Sequence, residues 1–589
     1  MFNFSKTLIK VALLASASAA SVQAAMPPML QTLTAPIGVA SNAQFAGGAT
    51  VSGGANFLTT IPASASAGVE ALLAPATADV GKTGNLYMAV LANGQWYMRT
   101  STGYEAWNFQ IPALKPFATK TLAAYETISA SDIEAGIGAS LDGGSFRVHV
   151  GYSTSTSPLT YSTAILVNVA AAPGTTCPTG TTSRSFAGFI GKSLCELKGS
   201  ITTDLHLTNN FDYILSGAVF IGGDNTNATS LTIDAGTTIY GESGKDYLTI
   251  RRGSKIHANG GKDAPIVFTT ASEDTTTLNT RGRWGGLVIN GNAPINGCTG
   301  TVTVCTAEGE GSTGLYGGNN AEDNSGNLNY VQVRFPGWPI TATNELNGIA
   351  FQGVGNGTLV DYIEVYNSAD DGVEFFGGTV NAKHVVVIGS DDDNIDWTGG
   401  YVGKLQHVVV IQGGDIGDRG IEADNNAINR DSLPRSQPKI SNMTIIGNKN
   451  TGLGLLLREG TGVNISNLVV KGNGKGCLDM DHDQTFNNAG TSATALTGKL
   501  TITNTAFDCP TTPGNFIEVL ADKFKVSEFF RGQSANVEVA TGMNSHVNSA
   551  AVNALTPAAR FDVWFDETAY VGAVKDDSSD WTKGWIYRP

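Results

Sequence analysis

The chain has 589 residues, of which 72 are glycine, 15% are charged and 41% are hydrophobic. Its 36 Lys and Arg residues stand against 51 Asp and Glu residues, which gives a formal net charge of -15. Glycine without a Gly-X-Y period excludes collagen, and the small charged fraction disfavours charged disorder. The negative charge disfavours nucleic acid and anionic membranes as partners, so the composition predicts a large folded polar protein.

Residues 1–25 predict a Sec signal peptide. Lys6 and Lys10 give it a positive start, residues 11–22 are apolar and small, and residues 22–24 (Val-Gln-Ala) resemble a cleavage site. No later stretch reaches the roughly 20 apolar residues that a membrane-spanning helix needs. We therefore expect export to the periplasm, the outer surface or the medium, without a membrane span.

The cysteines agree with export. An even number of cysteines in an exported protein favours disulfides, and no C-x-x-C pattern is present to suggest thiolate chemistry. The sequence alone leaves the connectivity open. We predict pairing between neighbours in the sequence: Cys177 with Cys195, Cys298 with Cys305, and Cys477 with Cys509.

The first part of the mature chain predicts a small domain. Residues 26–59 are rich in Ala, Gly and Ser without periodicity, which predicts a flexible lead-in. Residues 60–172 hold short alternating runs between glycine turns, a pattern typical of a β-sandwich. Residues 173–204 then form a predicted linker that carries the first cysteine pair.

Residues 205–510 predict a solenoid of stacked β-coils. Residues 362–378 and 384–400 align without a gap at an offset of 22, and a third copy begins at His407. One such repeat fits one turn of a three-faced helix, whose coils bury a continuous core only by stacking. An insertion at 307–326 is expected to form a loop, and residues 511–589 are expected to form a C-terminal cap.

These repeats resemble right-handed parallel β-helices of the pectin-lyase-like kind. The resemblance rests on residues 235–241 (Ala-Gly-Thr-Thr-Ile-Tyr-Gly) and 265–269 (Pro-Ile-Val-Phe-Thr). Residues 370–378, 418–425 and 570–585 resemble segments of exported bacterial β-helix proteins of unassigned role. The resemblance implies an all-β chain, a right-handed parallel β-helix preceded by a small β-sandwich domain, and it brings no function with it.

Acidic residues concentrate in 361–426, which holds thirteen Asp and Glu against three Lys and Arg. The repeat alignment stacks Asp370, Asp392 and Asp418 in one column, Asp371, Asp393 and Arg419 in the next, and Glu374, Asp396 and Glu422 in a third. Equivalent positions of stacked coils lie about 5 Å apart, where like charges repel. The columns therefore require a cation, a bound proton, an arginine partner or outward splaying into water.

Two non-catalytic interpretations follow. One is a solvated acidic face, in which Asp and Asn serve as turn residues through side chain–backbone hydrogen bonds. The other is a Ca²⁺ site, because carboxylate oxygens are the ligands that this cation prefers. Its predicted ligands are Asp370, Asp371, Glu374, Asp392, Asp393, Asp396, Asp418 and Glu422.

Two catalytic interpretations remain open. The paired Asp coils resemble those of polygalacturonase-type glycosidases, which implies an acid and a base among Asp371, Asp392 and Asp393. The third coil departs from that family, because residues 418–420 read Asp-Arg-Gly where the family has Gly-His-Gly. The chain also resembles calcium-dependent polysaccharide lyases, in which a Lys or Arg removes a proton. Arg419 lies within the acidic columns and is the candidate base, and the spacing leaves Lys383, Lys404, Arg430 and Arg435 open as alternatives.

Aromatic side chains recur at two repeat positions. His384 and His407 are equivalent in consecutive coils, and Phe375 and Trp397 share another column. If these rings are exposed, we expect them to bind a ligand, and Phe375 and Trp397 would then stack on sugars. If they point inward, they belong to the core. The leading hypothesis is a secreted or cell-surface protein that binds polysaccharide or another surface polymer with Ca²⁺ at the acidic columns. Its rivals are a polysaccharide-cleaving enzyme and a structural surface-layer or adhesin component.

Overall fold

The structure is a computed structural model. It describes residues 29–35, 41–51, 57, 60–61, 67–92, 95–108, 111–131, 133–137, 145–169, 176–185, 192–272, 277, 279–298, 304–341, 344–448, 450–510, 512 and 514–588. The predicted signal peptide, residues 1–25, lies outside the described residues. In the described part of the chain, no helix is both long enough and apolar enough to cross a membrane.

The chain divides into two compact units, residues 1–173 and residues 174–589. Among its described residues, the first unit contains one short α-helix, α1 (Ile133–Ile137), and two largely antiparallel sheets. Its strands are β1 (Met29–Leu30), β2 (Thr32–Ala35), β3 (Gln44–Val51), β4 (Thr60–Ile61), β5 (Ala67–Ala74), β6 (Thr83–Ala92), β7 (Gln95–Thr100), β8 (Gly103–Trp107), β9 (Ala118–Thr121), β10 (Glu126–Ala130), β11 (Ser145–Thr154), β12 (Leu159–Ser162) and β13 (Ile165–Val169).

The two sheets of the first unit enclose one core, as a β-sandwich requires. The structure corrects the expected lead-in, because β3 lies within residues 26–59 and pairs with β5 along its whole length. Phe45 of this strand is fully buried. A Cβ atom on Gly47 would lie 2.7 Å from Ile165 Cδ1, so the small residues that suggested flexibility allow close packing instead.

The described part of the second unit contains three short α-helices, α2 (Asp483–Ala489), α3 (Val526–Arg531) and α4 (Ala550–Asn553). Its strands are β14 (Thr182–Arg184), β15 (Leu194–Ile201), β16 (Leu205–Leu207), β17 (Asp212–Ile221), β18 (Ser230–Ile233), β19 (Thr238–Gly241), β20 (Tyr247–Ile250), β21 (Lys255–Asn259), β22 (Ile266–Thr270), β23 (Gly286–Asn290), β24 (Ala307–Glu308), β25 (Leu315–Tyr316), β26 (Gly326–Arg334), β27 (Trp338–Thr341), β28 (Asn344–Leu346), β29 (Ile349–Gln352), β30 (Leu359–Tyr366), β31 (Val373–Phe376), β32 (Asn381–Ile388), β33 (Ile395–Thr398), β34 (Lys404–Ile411), β35 (Arg419–Ala423), β36 (Lys439–Ile446), β37 (Leu453–Leu457), β38 (Val463–Lys471), β39 (Gly476–Met480), β40 (Gly490–Ser492), β41 (Ala495–Leu496), β42 (Leu500–Thr503), β43 (Ala506–Asp508) and β44 (Val537–Glu538).

Twenty-five of these strands form one continuous sheet, which winds into the predicted parallel β-helix. Almost all its pairs are parallel and join a strand to its equivalent one coil later, as β30 joins β32. The solenoid begins earlier than predicted, because β15 already pairs in parallel with β17. Residues 194–201, which were expected to belong to a linker, are therefore part of the first coil.

Each central coil has three faces. We call the face formed by β29, β31, β33 and β35 face A. The following long strands bend at a residue with positive φ, such as Tyr362 at 52° and His384 at 49°. The first half of each long strand, such as residues 359–361, forms face B, and the second half, such as residues 363–366, forms face C.

Residues 537–588, here called the C-terminal segment, pack along the flank of the solenoid. The Trp585 ring lies 5.5 Å from that of Tyr330, and the Asp566 N–H donates to Gln406 Oε1 at 2.8 Å. Phe530 of α3 stacks on Phe507 of the last coil at 4.2 Å. Only the beginning of the predicted cap therefore covers the end of the solenoid, and the C-terminal segment instead covers face C.

Three disulfides confirm the predicted pairing. Cys177 bonds to Cys195 at the start of the solenoid, and Cys477 bonds to Cys509 near its end. Cys298 bonds to Cys305 at the beginning of the inserted loop. No described cysteine is free.

Candidate functional site

The acidic columns lie on face A. Glu374, Asp396 and Glu422 are direct neighbours in the parallel ladder of β31, β33 and β35. The same position holds Ala350 one coil earlier and Leu456 one coil later. Side chains on either side of each acidic residue point into the core, so strand alternation aims the three carboxylates outward. The carboxylate column is thus confined to three consecutive coils.

Asp371 and Asp393 link successive coils. Asp371 Oδ1 accepts the backbone N–H of Asp393 at 3.0 Å, and Asp393 Oδ1 accepts the backbone N–H of Arg419 at 2.8 Å. Both residues are buried. One oxygen of each carboxylate therefore has a structural role, which by itself accounts for the repetition of Asp in the second column.

Two groups of carboxylates nevertheless converge at this face. Asp370, Asp371 and Asp392 form one group, in which one oxygen of each residue lies within 4.8 Å of the others. Asp371, Asp393 and Asp396 form the second group by the same measure. Asp371 belongs to both, so the two groups are adjacent. We call these five residues the carboxylate cluster.

Burial and mutual repulsion hold the protons on these groups. Burial, followed by the nearby charges of Glu345, Glu310 and Asp392, raises the pKa of Asp370 to about 8. Burial and the neighbouring carboxylates also raise the pKa values of Asp371, Glu374, Asp393 and Asp396 well above their ordinary range. Full ionisation of the cluster thus requires added positive charge.

The positive partners lie on one side of the site. Arg419 approaches Asp418 at 2.6 Å, Glu422 at 3.0 Å and Asp392 at 3.6 Å. Arg458 pairs with Asp424 at 2.9 Å and also contacts Glu422, and Lys475 pairs with Asp418 at 2.8 Å. In contrast, no salt bridge within the described residues involves Asp370, Asp371, Glu374 or Asp396.

An open cleft of about 470 Å³ gives access to part of this site. Its lining includes Glu345, Asp370, Asp392, Asp418 and Lys475. The Asp392 side chain is 49% exposed, whereas that of Asp393 is 3% exposed. A ligand in the cleft therefore meets Asp370 and Asp392 first, and Asp371 and Asp393 lie behind them.

Sequence reasoning missed four charged residues of the site. Glu310 and Glu345 come from segments outside the repeat: Glu310 belongs to the insertion at 307–326, and Glu345 belongs to the short strand β28. Burial, then the charge of Glu345, raises the pKa of Glu310 to about 7. Arg458 and Lys475 lie one and two coils beyond the three that were aligned, so a longer alignment would have placed them in the same region.

The predicted binding role of Phe375 and Trp397 is wrong. They are 1% and 0% exposed, point into the solenoid, and Phe375 stacks between Phe351 at 5.4 Å and Tyr401 at 4.4 Å. An alternating strand that exposes Asp396 must bury Trp397, so the acidic column and a sugar-stacking column cannot share this strand face.

The predicted binding role of His384 and His407 is also wrong. The two rings stack at 4.8 Å in the corner between faces B and C, and His384 stacks on Tyr362 at 4.1 Å. Trp581 of the C-terminal segment packs edge-on against His384 at 4.9 Å. Burial, more than any other effect, lowers the pKa of His407 to about 4. The ring is therefore neutral at pH 7 and has a structural role.

A family model described as a pectate-lyase-like beta helix domain matches residues 199–585, which is more than half of the chain. No curated protein matches the chain. A solved structure, the catalytic unit of a thermostable GH87 alpha-1,3-glucanase from Streptomyces thermodiastaticus strain HF3-3, is similar at 11% identity and a TM-score of 0.24, covering 88% of this chain and 98% of the other. The catalytic domain of a GH87 alpha-1,3-glucanase variant in complex with nigerose is similar at 10% identity and a TM-score of 0.23, with coverage of 85% and 99%. Similarity at these values does not extend to function.

Proposed function

The chain belongs to the pectate-lyase-like β-helix family, and from this premise we propose that it binds Ca²⁺ at the carboxylate cluster and, through that ion, an exported polysaccharide or another anionic surface polymer. The observation that carries the proposal is the convergence of two carboxylate groups that share Asp371. Their protein surroundings supply no salt bridge to Asp370, Asp371 or Asp396 within the described chain. A bound cation supplies the missing positive charge.

The donor atoms fit a hard cation. Ca²⁺ takes six to eight oxygen ligands at roughly 2.3–2.6 Å, so two ligands on opposite sides of the ion lie about 5 Å apart. The oxygens of each group lie within 4.8 Å of one another, which matches that span. Asp396 Oδ1 is buried and has no hydrogen-bond partner in the described structure, as a coordinating oxygen would before the ion binds.

The cleft supports the polymer part of the proposal. Asp370 and Asp392 line it and also belong to the first carboxylate group. An ion held by these residues would lie beside the cleft, where it could also bind a carboxylate or hydroxyl oxygen of a polymer. The signal-like residues 1–25 and three disulfides support an exported location.

Calorimetric titration with CaCl₂ tests the metal site. We expect saturable binding to the wild-type chain and a rise in stability of about 2.7 kcal/mol at a hundredfold excess over the dissociation constant. Asp371→Asn should weaken binding at least tenfold, because it removes a charge common to both groups. The asparagine oxygen can still accept the Asp393 N–H, so the fold should persist. Asp577→Asn, at a side chain that is 88% exposed, is the matched control and should bind normally.

Affinity electrophoresis in gels that contain polygalacturonate tests the polymer contact. Retardation of the wild-type chain with CaCl₂, and its loss with EDTA and in Asp371→Asn, is the expected result. If the wild-type chain shows neither heat nor stabilisation with excess Ca²⁺, the metal site is refuted. Normal Ca²⁺ binding without retardation in this or any other anionic polymer refutes only the polymer contact.

A second candidate function is cleavage of a glycosidic bond. The pKa of Asp370, raised to about 8, keeps a proton on this residue at neutral pH, as a general acid requires. Asp392 is half exposed in the same cleft, and Arg419 opposes the rise in its pKa that burial causes, which favours a base or nucleophile. One oxygen of Asp370 lies within 4.8 Å of one oxygen of Asp392. This distance is close to the carboxylate separation of roughly 5 Å in retaining glycosidases, and it is shorter than the separation in inverting enzymes such as the polygalacturonase-type glycosidases that the paired Asp coils resemble.

Reducing-end assays on a glycan panel test this candidate. Any activity should fall at least a hundredfold in Asp392→Asn, with the control Asp577→Asn unchanged. A lyase would also release unsaturated ends that absorb ultraviolet light. Arg419 is a poor base for that reaction, because the carboxylates around it, Asp393 first, outweigh burial and raise the pKa of its guanidinium.

A further inference from the structure

A second cleft, of about 750 Å³, lies on face B of the solenoid. Its floor is formed by outward side chains of β26, β30 and β32, which occupy equivalent positions in successive coils. Its wall is formed by Val563 and Trp564 of the C-terminal segment. The cleft lies on a different face from the carboxylate cluster, and none of the five residues of that cluster lines it.

Neutral amides dominate the polar lining of this face-B cleft. The side chains of Asn329, Asn356 and Asn381 line it and make no hydrogen bond to any described residue of the protein. Asn327 also lines it, and its amide bonds to His257 at 2.8 Å and to Asn259. Each unpaired amide offers a carbonyl acceptor and an NH₂ donor, the two capacities that a sugar hydroxyl matches.

The charges of the cleft are paired within the protein. Asp361 accepts from His384 Nδ1 at 2.7 Å, and Lys383 Nζ donates to Asp566 at 2.7 Å. Both charged side chains of the cleft are therefore engaged by other residues of the protein. This distinguishes the face-B cleft from the acidic site on face A and favours a neutral ligand.

Exposed apolar groups lie beside the amides. Leu359 is 69% exposed and Val563 is 86% exposed. The half-buried Trp564 ring packs edge-on against Phe565 at 4.9 Å, and Lys383 Nζ lies 4.9 Å from the ring centre. A pyranose presents apolar C–H faces and a polar hydroxyl rim, so it matches a surface that combines such groups with free amides. Sites with mostly apolar walls and a few placed polar groups are typical of small-molecule and sugar binding.

We propose that the face-B cleft binds a neutral glycan chain, with Asn329 and Asn381 bonding its hydroxyl groups and Trp564 and Leu359 contacting its C–H faces. This site goes beyond the calcium-dependent contact proposed above and does not require it. A solenoid that repeats equivalent positions about every 5 Å suits a polymer, because neighbouring sugar units meet neighbouring coils.

Affinity electrophoresis against soluble neutral polysaccharides, namely galactomannan, xyloglucan and a mixed-linkage β-glucan, tests this proposal in buffer that contains EDTA. We expect retardation of the wild-type chain by at least one of them. The double variant Asn329→Ala/Asn381→Ala should lose at least tenfold in affinity, and Trp564→Ala should lose a similar factor. Thr232→Ala is the matched control, since it occupies the same outward row two coils before Asn327 but lies outside the cleft.

The outcomes separate this site from the carboxylate cluster. Retardation that persists in EDTA and in Asp371→Asn, but is lost in the double asparagine variant, supports the glycan site even if no Ca²⁺ binds. Retardation that needs Ca²⁺ and disappears in Asp371→Asn overturns it, because the contact then belongs to face A. Absence of retardation by all three polysaccharides also overturns it. Thermal unfolding of the double variant, whose side chains are surface groups, verifies that its fold is intact.

Discussion

Glu364 shows at the residue scale how this solenoid uses a buried carboxyl group away from the acidic face. It lies on face C, is fully buried, and both its oxygens accept the backbone N–H of Tyr587, at 2.8 and 3.0 Å. Burial, only partly opposed by this bond and by Arg334, raises its pKa from 4.5 to about 8. The neutral acid thus forms part of the joint between the coil and the C-terminal segment.

The raised pKa predicts a pH dependence of stability. Between about pH 4.5 and pH 8 the folded state keeps the Glu364 proton and the unfolded state loses it, so the free energy of unfolding falls as pH rises through this window. Glu364→Gln removes this contribution, and its stability relative to wild type should improve steadily from pH 5 to pH 8. Urea unfolding at pH 5, 6.5 and 8 measures the difference. Parallel pH profiles for the two proteins would contradict the prediction, and Glu567→Gln, at an exposed carboxyl of the same segment, should leave the profile unchanged.

At the scale of elements, the C-terminal segment is bound by the outward side chains of face C and of the corner beside it. Trp585 and Ala573 pack on Val386 and Val409, and Val571 packs on Val469. As this segment continues toward the C-terminus, it contacts progressively earlier coils of the solenoid. The Ala558 N–H donates to Asn467 at 2.7 Å, and the later Trp585 packs on Tyr330. The segment therefore turns an otherwise exposed apolar face into core and also builds one wall of the face-B cleft.

Trp585→Ala should release this segment. Loss of a buried aromatic side chain that is 2% exposed costs about 3 kcal/mol or more, which raises the open fraction by about a hundredfold. Limited proteolysis read by mass spectrometry should show faster cleavage within residues 537–588 while the coils stay intact. Val563→Ala, at an exposed position of the same segment, should be cleaved at the wild-type rate. Equal rates for Trp585→Ala and wild type would show that the packing does not hold the segment.

At the scale of the whole molecule, stability is shared between neighbouring coils, so the two ends of the solenoid are its weak points. The disulfide between Cys477 and Cys509 closes a 32-residue loop at the later end and lies against the core. The disulfide between Cys298 and Cys305 closes only 7 residues beside a surface loop. The first constrains a terminal coil, and the second constrains an insertion.

Removing the two disulfides should therefore have unequal effects. By loop-closure entropy, Cys477→Ala/Cys509→Ala should lower the free energy of unfolding by roughly 3–4 kcal/mol, and Cys298→Ala/Cys305→Ala by roughly 2 kcal/mol. The second variant is the matched control for cysteine loss. Urea denaturation of the intact chain gives both values, and an equal or reversed order would show that the last coil does not limit stability.

Much of the fold and half of the site could be predicted from the repeat alone. The offset of 22 correctly placed His384 above Tyr362 and Asp396 next to Glu374, and Glu422 joined this column once three extra residues in the third coil were allowed for. Glu310 and Glu345 could not be predicted, because they reach the site from segments that lack the repeat. Their positions depend on how each segment packs against face A, and no local period encodes that packing.

The sequence by itself determined the coil, its period and the existence of an acidic face, because these follow from side-chain alternation and from spacing along the chain. It suggested the disulfide pairs but left their connectivity open. Only the tertiary structure decided that Trp397 and Phe375 point inward, that β3 belongs to a sheet and that the C-terminal segment lies along face C. Inward and outward directions, like the partners of distant segments, are set by which arrangement buries the most apolar surface across the whole molecule.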